Sequence, residues 1–265
     1  MPLHFAALNS GSNGNCYYVG NDHDAVLIDA GISCRETERR MKRLGLSTDK
    51  IRAILISHEH TDHTRGLDVL SRKHRIPVYI TKATHQKSRL HISPLLIRYF
   101  FSFEELQFGE LIVMPLVKWH DGVDPHSFTV SCDGATVGVF TDIGEPCEHV
   151  IHHFGRCTAA FLESNYDDTM LDEGRYPSYL KQRIRGERGH LSNIQALELF
   201  LNHRASHLKI LVLAHLSAEN NHPEIVQDIF VHHANGTRIA IASRHEETEL
   251  FTINMTISHP GNSRS

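Results

Sequence analysis

The chain has 265 residues, 40% of them hydrophobic, which is enough to fill a sizeable core in one large domain or two small ones. No stretch approaches the roughly 20 apolar residues of a membrane span, and Met1-Pro2-Leu3-His4 lacks a charged segment followed by an apolar one, so a cytoplasmic protein is expected. The formal charge of -4 does not advertise a nucleic-acid binder, though bound metal would neutralise several of the acids, and five scattered cysteines without a C-x-x-C pair argue against disulfides and thiolate zinc sites.

Short apolar runs at 3–8, 16–19 and 25–28, split by Ser10-Gly11-Ser12-Asn13-Gly14-Asn15, read as antiparallel strands leading into Asp29. A charged helix is expected at 34–44, then a near-continuous apolar strand at 51–56, a histidine-bearing loop, and an amphipathic helix at 66–74 that Pro77 closes off. Strands follow at 111–117, 128–132, 135–140 and 159–162, helices at 192–202 and 224–234, and strand character returns at 210–213 and 239–242. With no repeat and no linker, a single domain over 1–265 is the simpler reading. Strands dominate early and alternate with helices later, a pattern that two packed sheets covered outside by helices would satisfy: an αββα sandwich of the α/β class.

The compositional anomaly is 22 histidines, since imidazole both ligates zinc-like ions and titrates near neutrality. His58, His60, Asp62 and His63 lie directly after the apolar strand, where a loop is anchored by rigid structure. The zincin pattern H-E-x-x-H would need its second histidine at the position of Asp62, so a metalloprotease reading fails. In an extended stretch His58 and His60 point the same way, and the turn that follows presents Asp62 and His63 elsewhere, one pair for each of two ions. The plainer alternative, a solvated loop with one or two structural histidines, is hard to reconcile with that density of ligand-type residues.

H-x-H-x-D-H after an apolar strand resembles the signature of the metallo-β-lactamase superfamily, which implies an αββα sandwich of two mixed sheets flanked by helices. The resemblance implies that Asp29 orients ligands by accepting hydrogen bonds, that His58, His60 and His120 hold one ion, that Asp62, His63 and His215 hold the other, and that Asp142 bridges them. Alone, Asp29 also reads as a turn aspartate, and His120, Asp142 and His215 as structural residues; each, however, ends an apolar run where a converging site requires it.

Almost throughout, the chain resembles the YycJ (WalJ) exonuclease branch, through the 10–15 motif and through Glu163-Ser164-Asn165-Tyr166-Asp167, Gly189-His190-Leu191-Ser192-Asn193 and Ala214-His215-Leu216-Ser217. Pro125-His126-Ser127-Phe128 departs from the pattern by lacking a glycine before the phenylalanine. The branch implies a manganese-supported 5′-to-3′ DNA exonuclease of DNA repair, using two divalent ions, zinc or manganese rather than iron, on DNA with a free 5′ end. Asp62, Asp142 and His190 are the expected catalytic residues. His190 looks like the histidine of a G-H-x-S motif that contacts phosphate or protonates the leaving group, although the helix-capping neighbourhood of Ser192 gives it a structural reading too. Ser12, Asn13, Asn165 and Ser192 are candidate substrate contacts by their places in these motifs. Lys181, Arg183, Arg185 and Arg188, with only Glu187 among acids, would suit a nucleic-acid backbone beside a metal site, whereas as a charge run alone they form a solvated helix face.

Paired ions lower the pKa of a water, orient a phosphate and stabilise developing charge, so phosphodiester hydrolysis is the expected reaction. A small-molecule hydrolase acting on cyclic phosphates, thioesters or lactones would use the same ligands. RNA-processing relatives generally carry an inserted domain or a flexible arm for which 265 residues leave no room. A redox di-iron protein would favour a carboxylate at His60, and a non-catalytic scaffold would lack some of the ligands.

Overall fold

The computed structural model describes residues 1–254; the end of the expected 1–265 span lies outside the described residues. In the first half, β1 (Leu3–Asn9), β2 (Cys16–Gly20) and β3 (Ala25–Ile28) form an antiparallel meander. After α1 (Cys34–Arg43) come β4 (Ile51–Leu55), α2 (Thr61–Thr64), α3 (Leu67–His74), β5 (Val78–Ile80), α4 (Lys82–Lys87) and β6 (Ile97–Tyr99), with β3 to β6 parallel. In the second half β7 (Leu106–Phe108), β8 (Leu111–Val117), β9 (His126–Cys132) and β10 (Ala135–Phe140) are antiparallel. They are followed by α5 (Glu148–Phe154), β11 (Ala159–Glu163), α6 (Asp168–Glu173), α7 (Ser178–Arg185), α8 (Asn193–His203), β12 (Ile210–Ala214), α9 (Pro223–Val231) and β13 (Arg238–Ile241), with β10 to β13 parallel. Finally β14 (Phe251–Ile253) crosses back to pair with β1.

The result is two seven-stranded mixed sheets, ordered β14-β1-β2-β3-β4-β5-β6 and β13-β12-β11-β10-β9-β8-β7. Side-chain alternation explains the layering. Phe5, Tyr17, Val19, Val26 and Leu55 meet Val137, Phe161 and Val212 in the core between the sheets. The intervening Tyr18, Leu27 and Ile54 turn outward under α1 and α3, while Ala160, Leu162, Leu211 and Leu213 turn outward under α5, α8 and α9. Strands buried on both faces read as continuous apolar runs, which is why β3, β4, β11 and β12 stand out in the sequence. These are the four layers of an αββα sandwich, and among the described residues no helix is long and apolar enough to cross a membrane.

Local sequence sets the helix starts. Ser33 caps α1 by accepting from the Glu36 amide, and Ser192 with Gln195 forms a reciprocal capping box at α8. The five cysteines are free, four of them buried.

Candidate metal centre

The carboxyl ends of the parallel strands share one edge of the sandwich, the usual place for a site in open α/β sheets. There Asp29 follows β3, the 57–63 segment follows β4, Asp142 follows β10, Glu163 ends β11 and His215 follows β12. β8 is antiparallel to β9 and β9 to β10, so β8 runs with β10 and delivers His120 to the same edge. Asp29, Asp142 and His215 all adopt left-handed backbone, with φ of 62°, 56° and 56°. Such strain costs about 1–3 kcal/mol per residue and persists only where the surroundings over-determine it. Here the His215 amide donates to Ser10 Oγ at 2.7 Å and the Asp29 amide to the Leu55 carbonyl at 2.8 Å.

The H-x-H-x-D-H segment bends at Glu59 and so is not the extended stretch expected for 58–60; His60 is extended and starts α2, which carries Asp62 and His63, and His58 Nε2 still comes within 3.0 Å of His60 Nδ1. The Asn15 amide donates to the Asp62 carbonyl at 2.7 Å, and a Cβ on Gly31 would stand 1.6 Å from that same oxygen, so only glycine lets the 30–31 backbone lie against the motif. His58, His60 and His120 bring ligand atoms within 4.8 Å of one another, as do Asp62, His63 and His215, and as do His58, His63 and Asp142. Asp29 fixes His63: Oδ2 lies 2.7 Å from Nδ1 and its carboxylate also accepts from the Ser57 amide and hydroxyl, each at 2.8 Å. That leaves His63 Nε2 3.3 Å from Asp142 Oδ2. His120 Nε2, Asp142 Oδ2 and His215 Nε2 are buried with no hydrogen-bond partner among the described residues. Orphaned donors and acceptors are costly in a protein interior, and a set of histidine nitrogens and carboxylate oxygens facing one space fits divalent cations, so these residues could hold metal.

The electrostatics agree. Burial pushes His58 well below the usual imidazole range and His120 down to about 3, leaving both neutral, the form that ligates. Desolvation opposes protonation of His63 and His215 as well, yet Asp142 and the neighbouring carboxylates hold His63 well above its ordinary value and His215 up to about 10. That half of the site demands positive charge.

A cleft of about 280 Å³ opens over this edge, lined among others by Ser12, Asp62, Asn165, Arg183, His190 and Ser217. Asn165 Nδ2 donates to the His215 carbonyl at 2.7 Å. The other expected substrate contacts are not brought to the cleft wall. Asn13 donates to the Arg244 carbonyl on the protein exterior, and the buried Ser192 hydroxyl is engaged in capping α8. Lys181 donates to the Asp172 carbonyl and Arg185 pairs with the Asp172 carboxylate, both beside a separate shallow depression. The basic run is also less free than its sequence neighbourhood implies, because Arg183 Nε donates to Asp121 Oδ2 at 2.7 Å. Its acids come from other elements.

Three residues were given no role in the sequence reading, although Glu163 opens one of the motifs quoted there. Glu163 is fully buried, with Oε1 2.8 Å from His190 Nδ1 and 2.9 Å from His215 Nδ1, and His190 and His215 hold it down to about 2 despite desolvation. Asp121 Oδ1 lies 3.3 Å from His120 Nε2 and 3.5 Å from His60 Nε2. Lys118 is buried with Nζ donating to the Thr141 carbonyl at 2.7 Å; burial pulls its pKa down, and Asp142 and Asp29 oppose that pull. The signals were a carboxylate inside an apolar strand, an acid beside a candidate ligand and a lysine ending an apolar run.

The sequence profile of the metallo-beta-lactamase superfamily matches residues 10–197. The chain belongs to that superfamily. Within it, the chain is 35% identical over 230 residues to the exodeoxyribonuclease YycJ of Bacillus anthracis, covering 86% of this chain and 87% of that one. It is 30% identical over 233 residues to the exodeoxyribonuclease WalJ of Streptococcus pneumoniae, covering 83% and 84%. Among solved structures, the metallo-beta-lactamase fold protein YhfI of Bacillus subtilis is similar with a TM-score of 0.72 at 17% identity, over 95% of this chain and 99% of that one. PqqB of Methylobacterium extorquens is similar with a TM-score of 0.71 at 14% identity, over 95% and 100%. Superfamily membership and the sandwich thus agree with the sequence reading.

Proposed function

We propose that the chain is a dinuclear metal-dependent phosphodiesterase that degrades DNA from 5′ ends in DNA repair. The observation that carries this reading is the set of unpartnered buried ligand atoms on His120, Asp142 and His215, facing one cleft in a chain whose 35%-identical relative is named an exodeoxyribonuclease. A cytoplasmic location goes with that substrate.

In this reading His58, His60 and His120 would hold one ion and Asp62, His63 and His215 the other, with Asp142 available to both; zinc or manganese would suit such a mixed nitrogen and oxygen set. When bound, two divalent ions supply an acidified water and neutralise charge on the reacting phosphate. The chain's own groups do the rest. Asp29 keeps His63 in one tautomer by holding Nδ1. Glu163 likewise holds His190 Nδ1, so that Nε2 is left for the cleft, where the imidazolium form, its positive charge balanced by the Glu163 carboxylate, gives its Nε2 proton to the leaving oxygen. Asn165 and Ser12 flank the phosphate, and Arg183 exchanges its Asp121 partner for it.

The test uses single- and double-stranded DNA labelled at either end, with added manganese, beside Asp142→Ala and an excess of chelator. Progressive loss from the 5′ end, abolished by both controls, is the expected result. Intact DNA and RNA together with turnover of a simple phosphodiester would replace this reading by a small-molecule hydrolase.

A further inference from the structure

A histidine that ligates through one ring nitrogen needs a partner on the other, which fixes the ring and raises its basicity. Four of the five candidate ligand histidines have that partner. His63 Nδ1 lies 2.7 Å from Asp29 Oδ2, His215 Nδ1 2.9 Å from Glu163 Oε1, His120 Nδ1 3.0 Å from the Gly189 carbonyl and His58 Nδ1 2.9 Å from Ser57 Oγ. Among the described residues His60 is the exception. It turns Nδ1 toward His58 Nε2, 3.0 Å away, and its Nε2 has Asp121 Oδ1 at 3.5 Å, beyond a good hydrogen bond.

Arg183 accounts for that gap. Its Nε, at 2.7 Å, and its Nη2 both donate to Asp121 Oδ2, so Oδ1 is left buried with no hydrogen-bond partner among the described residues. A buried acceptor of that kind calls for a donor. Oδ1 also lies 3.3 Å from His120 Nε2, but the Gly189 carbonyl takes the hydrogen of His120 Nδ1, so in the neutral ring Nε2 carries a lone pair and has nothing to donate. The donor that fits Oδ1 is His60 Nε2–H. Arg183, in turn, is exposed on α7, a helix with no buried residue, and lines the metal cleft, so its guanidinium is free to leave the carboxylate for a phosphate there.

We propose that Asp121 is a positioning residue for His60 and that Arg183 governs it. While the guanidinium holds and neutralises the carboxylate, the His60–Asp121 contact stays long. When Arg183 turns to a substrate phosphate, Oδ1 closes on His60 Nε2–H, fixes Nδ1 as the ligating nitrogen and makes it more basic. Phosphate engagement thereby raises metal affinity at His60, and by linkage the bound metal raises phosphate affinity to the same extent. The proposal deepens the nuclease reading and rests on it only for the phosphate that Arg183 takes.

The experiment titrates manganese into the metal-free full chain by calorimetry, for the wild type, Asp121→Asn, Arg183→Gln and the double variant, each also in a His60→Ala background. The expected result is binding weakened by about 10- to 100-fold in Asp121→Asn, the usual cost of losing a carboxylate that orients a ligand histidine. Arg183→Gln, which frees the carboxylate, should tighten binding several-fold, with no such gain in the double variant and neither effect once His60 is alanine. Unchanged affinity in Asp121→Asn would overturn the proposal. So would a gain from Arg183→Gln that persists without Asp121, which is the plain removal of a positive charge, or an Asp121→Asn loss that persists without His60, which makes Asp121 a ligand in its own right. On DNA, the manganese concentration giving half the maximal rate should fall more steeply with DNA concentration in the wild type than in Asp121→Asn, and equal slopes would overturn the coupling. DNA degraded in an Asp142-dependent manner without the calorimetric pattern leaves the nuclease reading standing and removes this proposal. The calorimetric pattern in a protein that leaves DNA intact does the reverse, supporting the Arg183–Asp121–His60 linkage while the nuclease reading falls.

Discussion

Glu163 organises more of the site than any residue singled out from the motifs. Its Oε1 faces His190 and His215, while Oε2 accepts from the Ile143 amide at 2.7 Å and the Leu191 amide at 3.3 Å. One carboxylate thus ties the loop after β10, the His190 loop and the last candidate ligand together. Because it acts through these histidines, Glu163→Gln should lower kcat by about 10- to 100-fold, the usual cost of losing a group that orients ligands, with a smaller change in KM. Steady-state kinetics alongside metal content would check this, since a merely structural role would not move kcat against KM. The difference between Glu163 and the ligands predicted from H-x-H-x-D-H is physical. The motif concentrates four ligand-type residues within six positions, whereas Glu163 and Lys118 matter through groups far away along the chain, and Asp121 through His60 and Arg183 as well as its neighbour His120.

At the scale of elements, the strands that carry the site were legible because they are near-continuous apolar runs, buried on both faces in β3, almost so in β10 and mainly on one face in β8. The runs at 25–28, 111–117 and 135–140 coincide with β3, β8 and β10. Elements without that property were missed. β5, β6 and β7 have three residues each, too few for periodicity, and α7 has no buried residue, so nothing in its pattern marks a core-facing stripe. The central strands also bear the stability. Phe161, fully buried on β11, packs edge-on against Phe5 at 5.6 Å and tilted against Tyr17 at 4.9 Å, bridging the two sheets. Phe161→Ala should cost about 3–5 kcal/mol, the range for a large ring removed from a packed core, as measured by denaturant unfolding of the metal-loaded protein.

For the whole molecule, the core between the sheets draws on strands from both halves of the sequence, and β14 returns to pair with β1. We propose on this ground that the chain is one folding unit. It should unfold in a single calorimetric transition. A chelator should lower the midpoint on the order of 10 °C, given that a ligand present at a thousand times its Kd contributes about 4 kcal/mol. Two transitions, or a midpoint indifferent to chelator, would count against one unit or against tight metal binding respectively.

By itself the sequence determined the layered α/β class, the central strands, the metal-binding motif and, through resemblance, the superfamily. Each of these is written locally, as hydrophobic alternation or as dense ligand-type residues at close spacing. Only the tertiary structure decided that Asn13 and Ser192 face away from the cleft, that Arg183 and Arg185 are already paired, and that His120, Asp142 and His215 turn unpartnered ligand atoms toward one another's neighbourhood among the described residues. Those outcomes depend on which side chains meet across the sheets and loops. Charge pairing and unsatisfied hydrogen bonds are properties of neighbours in space, and sequence order does not specify them.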